Sequence, residues 1–316
     1  MVRRKVKMKF DLFVGIDWSG AAGPFQRGIQ LAAAQPGSSV PQLIAPPDHR
    51  GWSRPAVLAW LRRQRAEGHA VLAGIDFAFA HPYRQNAGYF PEAGQTAPCS
   101  ARELWQLVEQ HGHHDETLYG GHLWAVSPWG DFYNAPRRRD GSGGRGRLFA
   151  SHRRQTEMAS VRDEGRSPSS SFNCVGPASV GTGSLAGMRL LHQLGNEAEI
   201  WPITSPKNSS ALPRFAVVEI FPSLYFHQAG IRDRDKKTDP LAATNHALAH
   251  FDAAPISKLT EGLPDHDDLD ALVAAAALRA LHDPAIIWPL GSVDQELARL
   301  EGWIFGVRSN LQENLS

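Results

Sequence analysis

A chain of 316 residues can hold one large α/β domain with an insertion, or two modest domains. Its 42% apolar content predicts an ordinary core, and 33 Lys+Arg against 32 Asp+Glu exclude a wholesale polyanion binder while leaving room for a local basic patch. Cys99 and Cys174 are too few for a disulfide framework and lack metal-type spacing, and no stretch approaches the ~18 apolar residues of a membrane span, so a soluble, cytoplasmic protein is expected.

Residues 1–9 carry Arg3, Arg4, Lys5, Lys7 and Lys9 and read as a frayed tail. The apolar run after them is too short and too quickly charged for a secretory signal. Residues 10–16 predict a first strand, 28–34 a second, and 42–45 a short third. Ser53 as N-cap, Pro55 in the first turn, and Val57, Leu58 and Leu61 predict a helix that Gly68 ends. Residues 70–75 then form a buried strand carrying Asp76. A right-handed crossover sets that strand beside the strand of Asp17.

Residues 83–183 are rich in Gly, Pro, Ser, His and Arg, with one weak helical stretch at 100–110. So long an irregular run predicts an insertion subdomain. Further helices are expected at 184–194, 240–251 and 265–281, with strands at 199–203 and 215–221. Pro284 stops the last helix, and 284–316 remain as a C-terminal extension of helix-like spacing. The core domain is thus read as 10–82 plus 184–283.

Three acidic segments stand out: Gly15-Ile16-Asp17, Gly74-Ile75-Asp76 and Asp267-Asp268-Leu269-Asp270. The first two put an Asp at a strand's C-terminal edge, where open α/β sheets collect ligands. Alone, each reads as a turn-capping Asp. Asp267 and Asp270 share one side of their helix, whereas Asp268 lies roughly 100° round from Asp267. Acids near a helix N-terminus suit the macrodipole, but Asp270 precedes an apolar run and needs a partner. Glu219 interrupts the apolar strand Val217-Val218-Glu219-Ile220; it is either a further ligand or turned away from the core. Converging carboxylates repel unless a cation sits among them, and Mg²⁺ or Mn²⁺ suits all-oxygen ligands. Two such ions can drive in-line phosphodiester hydrolysis. His81 and His266 are candidate proton shuttles beside ordinary structural roles.

Arg137, Arg138, Arg139, Arg153 and Arg154, close to Trp124, Trp129, Phe132 and Tyr133, are candidates to follow a nucleic-acid backbone and stack bases. A solvated loop is the competing reading. The glycines of 176–183 open a helix but lack the Lys-Ser/Thr end of a P-loop. His111, His113, His114 and His122 lack zinc-ligand spacing.

Taken in order, Gly-Ile-Asp, Gly-Ile-Asp-Phe, Arg154-Gln155-Thr156-Glu157, Ser184-Leu185-Ala186-Gly187-Met188, Glu-Ile-Phe-Pro-Ser and Asp-Asp-Leu-Asp-Ala-Leu resemble the domain-of-unknown-function 429 family, regarded as predicted nucleases of RNase H-like fold. The likeness is discontinuous and spans roughly residues 12–280. The last motif is also similar to the closing helix of Holliday-junction resolvases, where the matching acids bind catalytic metal. The resemblance implies a mixed sheet, an antiparallel meander plus parallel strands, flanked by helices. It implies Asp17, Asp76, Asp267 and Asp270 as Mg²⁺ or Mn²⁺ ligands and DNA or RNA as partner. One departure is that resolvases carry Glu where this chain has Asp76. The rival readings are a catalytically inactive nucleic-acid-binding or scaffold protein, and an actin-like or sugar-kinase-like phosphotransferase, whose phosphate loops are poorly matched here.

Overall fold

The computed structural model describes residues 10–93, 97–176, 179–205, 213–256, 266–282 and 295–308. The expectations for residues 1–9, Asp265 and Pro284 lie outside the described residues, as do 206–212 of the polar connection between the two late strands.

Strands β1 (Leu12–Asp17), β2 (Gln30–Ala34) and β3 (Gln42–Leu43) form an antiparallel meander. Helix α1 (Arg54–Ala66) starts where Ser53 Oγ accepts a hydrogen bond from the Ala56 N–H at 3.2 Å, with Pro55 in its first turn. It returns the chain so that β4 (Val71–Ile75) runs parallel to β1, with Ile75 opposite Ile16. Helix α2 (Ala101–Gly112), the small ribbon β5 (Asn134–Ala135) and β6 (Gly144–Arg145), helix α3 (Gln155–Glu164) and helix α4 (Gly181–Leu194) follow. Strands β7 (Glu199–Trp201) and β8 (Phe215–Glu219) complete a six-stranded mixed sheet of order β3-β2-β1-β4-β8-β7, β8 lying parallel to both neighbours. Helices α5 (Pro222–Gln228), α6 (Asp233–Thr238), α7 (Pro240–His250), α8 (His266–Leu281) and α9 (Gln295–Glu301) follow among the described residues. The protein is therefore α/β, a mixed sheet flanked by helices. Among the described residues no helix is long and apolar enough to cross a membrane.

Strand alternation sorts the sheet into two cores. Phe13, Leu72, Ala216 and Val218 face the helix α8 side, with Tyr225, Leu248 and Trp303. Val14, Ile16, Ala73, Ile75 and Val217 face the other. The insertion belongs to this second core: Trp105, Leu123, Trp124, Phe132 and Phe172 are buried together with the sheet residues. The described residues of segment 83–183 thus share their core with one sheet face. Trp124, Trp129, Phe132 and Tyr133 are all buried, so the expectation that they stack bases is corrected. Their large apolar area is held by the second core.

Helix α8 packs closely onto β1, and two glycines make this possible. A Cβ at Gly15 would lie 2.4 Å from the Ala271 carbonyl oxygen and 2.7 Å from the Ala275 nitrogen. At Gly74 it would lie 2.4 Å from Ile220 Cγ2 and 2.9 Å from Leu278 Cδ1. The small residues Ala271, Ala274 and Ala275 bring the helix backbone equally near from their side. The extension packs back onto the sheet: Phe305 N–H donates to the Glu219 carbonyl at 2.8 Å, and Ile304 N–H to Thr156 Oγ1 at 2.9 Å.

Candidate functional site

Gly15 and Asp17 stand two residues apart on β1, as Gly74 and Asp76 do where β4 ends. Period-two alternation therefore turns both acids to the face that the glycines open to α8. From the helix side, α8 supplies Asp267 and Asp270 in its first turns. Asp267 leans toward the meander, where a Cβ at Gly28 would meet its Oδ2 at 3.2 Å. Asp17, Asp76, Asp267, Asp268 and Asp270 are each half-buried. Trp18 N–H donates to Asp17 Oδ1 at 2.9 Å and fixes that carboxylate.

The electrostatics register the convergence. Burial, then the charges of Asp76, Asp270 and Asp267, hold the Asp17 carboxyl well above the usual carboxylate range. Asp76 is raised in the same way by burial, then by Asp270, Glu219 and Asp267, with Lys236 opposing. Asp270 is raised by burial and opposed by Lys236 of α6, whose ammonium is ion-paired with its Oδ1. The helix acids Asp267 and Asp270 thus act on Asp17 and Asp76, remote from them in sequence, across one end of the sheet. Their all-oxygen chemistry fits Mg²⁺ or Mn²⁺. Among the described residues, however, no three His, Cys, Asp or Glu side chains are already gathered into a metal-holding group.

Glu219 does not join them. It lies opposite Ile75 in the register and so faces the other side of the sheet. There its oxygens accept hydrogen bonds from Arg154, with Nη1 to Oε2 at 2.7 Å and Nη2 to Oε1, and from Phe79 N–H at 3.0 Å. Arg154 also donates through Nε to Glu157 Oε1 at 2.8 Å and through Nη1 to the Glu301 carbonyl at 2.9 Å. Its side chain is 1% exposed. The expectation that Arg154 touches nucleic acid is therefore corrected: its guanidinium is used up inside the protein. Arg138 is partly engaged, donating to the Gly121 carbonyl at 2.9 Å and stacking over Trp124 at 4.4 Å. Arg137, Arg139 and Arg153 are exposed, Arg153 donating to Ser167 Oγ at 2.6 Å.

His81 is likewise a core residue. It stacks on Phe172 with ring centroids 4.4 Å apart and bonds Ser171 Oγ at 2.8 Å and Tyr133 Oη at 2.7 Å. Burial, then the Arg154 charge, push its pKa down to about 3, so it is neutral and ill-suited to shuttle protons. His266 lies exposed at the start of α8.

Beside the acids opens a cleft of about 680 Å³, lined by Asp76, Trp18, Phe77, Arg166, Thr182 and Gly183 among others. Trp18 and Phe77 pack with centroids 5.6 Å apart, and Trp18 Nε1 donates to the Gly183 carbonyl at 3.0 Å. A Cβ at Gly187 would lie 2.3 Å from the Phe77 ring, which explains the glycine in Ser-Leu-Ala-Gly-Met. Arg166 reaches from the insertion to Asp233 of α6 at 2.9 Å. Neither Arg166 nor Lys236 is marked by the sequence. Lys236 sits in the run Arg-Asp-Arg-Asp-Lys-Lys, which reads as a solvated helix.

No family model matches this chain, and neither a curated protein nor a solved structure matches it.

Proposed function

We propose that the protein is a divalent-metal-dependent nuclease of RNase H-like fold, hydrolysing phosphodiester bonds of DNA or RNA. One observation carries the reading: Asp17, Asp76, Asp267 and Asp270 arrive from two adjacent parallel strands and one crossing helix, near enough that the helix acids raise the pKa of Asp17 and Asp76. Nothing in the packing of a stable core calls for such a set, since like charges that a single Lys236 relieves only in part cost free energy. The sheet order, an antiparallel meander joined to parallel strands with a helix laid across β1, also supports the fold assignment.

In this reading Asp17, Asp76, Asp267 and Asp270 hold Mg²⁺ or Mn²⁺, with Asp268 turned roughly 100° aside. The ion, when bound, supplies Lewis-acid polarisation of the phosphoryl oxygen and an acidified water. Trp18 N–H keeps Asp17 oriented, and the walls of the cleft limit what reaches Asp76. A cleft of this volume lies in the size class that encloses small ligands, so it admits one or two nucleotides and not the body of a duplex.

Mn²⁺ titration by calorimetry, paired with cleavage of single-stranded and duplex oligonucleotides, tests the proposal. The parent chain binds Mn²⁺ and cleaves; an Asp17→Asn/Asp270→Asn double variant does neither. Nucleic-acid binding that survives in the double variant, with no cleavage by the parent, favours the scaffold reading. One contact speaks for that alternative, the Lys236 ammonium already resting on Asp270.

A further inference from the structure

The acids do not wait for a metal uncompensated. Lys236 reaches Asp270 from α6, its Nζ 4.6 Å from the centre of the Phe226 ring. Its charge acts on Asp76 as well as Asp270. The pair is partly sheltered, with side chains 19% and 21% exposed. We propose that Lys236 is a resident counter-cation of the acid cluster, which a divalent ion must displace from Asp270 in order to bind. The inference rests on the metal-binding reading above and adds a residue and a competition that it does not contain.

Two properties of α6 make displacement feasible. The helix is short, Asp233–Thr238, and none of its side chains is buried. It is tied to the site by the Lys236–Asp270 pair and to the cleft wall by Asp233 with Arg166. Ion pairs this near the surface are weak enough to exchange. An ammonium carries one charge and hydrogen-bonds its partners, whereas Mg²⁺ draws several oxygens to roughly 2.0–2.1 Å. A lysine can therefore neutralise Asp270 without pulling the remaining acids inward. That accounts for acids that sense one another while forming no ready metal-holding group among the described residues.

The test is Mn²⁺ calorimetry on the full chain, comparing the parent with Lys236→Met and Lys237→Met. Lys237 is exposed on the same helix, so its replacement changes net charge equally without touching Asp270. Lys236→Met is expected to bind Mn²⁺ about three- to tenfold more tightly than the parent, the worth of a partly sheltered ion pair. Lys237→Met is expected to stay within about twofold of the parent. Asp233→Asn, which loosens α6 but keeps Lys236, should fall between. Equal or weaker binding by Lys236→Met overturns the competition while leaving the metal site standing. Equal tightening by both lysine variants overturns it too, since the general field then explains the gain. Failure of every form to bind Mn²⁺ removes the metal reading along with it.

Discussion

Replacing Arg154 with Met should unfold the protein earlier while leaving every member of the acid cluster in place. Met keeps much of the stem's volume but deletes four donated bonds: Nε to Glu157, two to Glu219, and Nη1 to the Glu301 carbonyl. Glu157 and Glu219, with side chains 1% and 3% exposed, then lose their shared counter-charge. Removing one partner from a buried ion pair costs about 3–5 kcal/mol. The lower end is expected at acidic pH, because burial already raises the Glu157 carboxyl and favours its protonation. Unfolding entropy of about 2.1 cal/mol/K per residue over 316 residues is roughly 0.7 kcal/mol/K, so Tm should fall by about 4–7 °C. Differential scanning calorimetry at neutral pH measures this, and a Glu219→Gln change added to Arg154→Met should recover part of it. A variant that melts within 1 °C of the parent yet loses oligonucleotide affinity would refute the argument and restore Arg154 to a nucleic-acid surface.

Gly15→Ala should destabilise by about 1–3 kcal/mol in urea denaturation, because its methyl group would drive into the Ala271 carbonyl and push α8 off β1. Cleavage should drop further than stability accounts for, since α8 carries two of the acids. Asp17 and Asp76 have folded-state pKa values above their unfolded ones, so the folded protein holds the extra protons and their contribution to stability falls as pH rises above the unfolded carboxylate range. Melting from pH 4.5 to 7.5 should show this decline, an Asp17→Asn/Asp76→Asn variant should flatten it, and an unchanged slope would count against the cluster. Ser53→Ala should cost about 1 kcal/mol through loss of the α1 cap, read by the same denaturation, with metal affinity unchanged.

Local signals in the chain were legible where one residue type has one strong use. Ser53 before Pro55 marked the start of α1, and the apolar runs ending at Asp17 and Asp76 marked β1 and β4. Helix α3 and the places of α5, α6 and α9 were not legible. Each is short or polar, and its stability comes from partners far along the chain, such as Glu301 accepting from Gln155 N–H at 2.6 Å and Tyr83 N–H at 2.7 Å. The aromatic residues of the insertion, and Arg154 among its arginines, misled for the same reason. Composition marks a side chain able to stack or pair, but not whether its partner is a base or the second core.

The sequence by itself marked Asp17 and Asp76 at strand ends and Asp267 and Asp270 on one side of a helix, because strand and helix periods place side chains in fixed directions. Only the tertiary structure decided which carboxylates remain available and which are consumed. Glu219 and Arg154 look equally functional as letters, yet the pleat turns Glu219 away from α8 and onto Arg154. Lys236, silent in a charged run, comes to rest on Asp270. Charge pairing depends on distances of a few ångströms across separate elements, and those distances exist only after the sheet and its helices have packed.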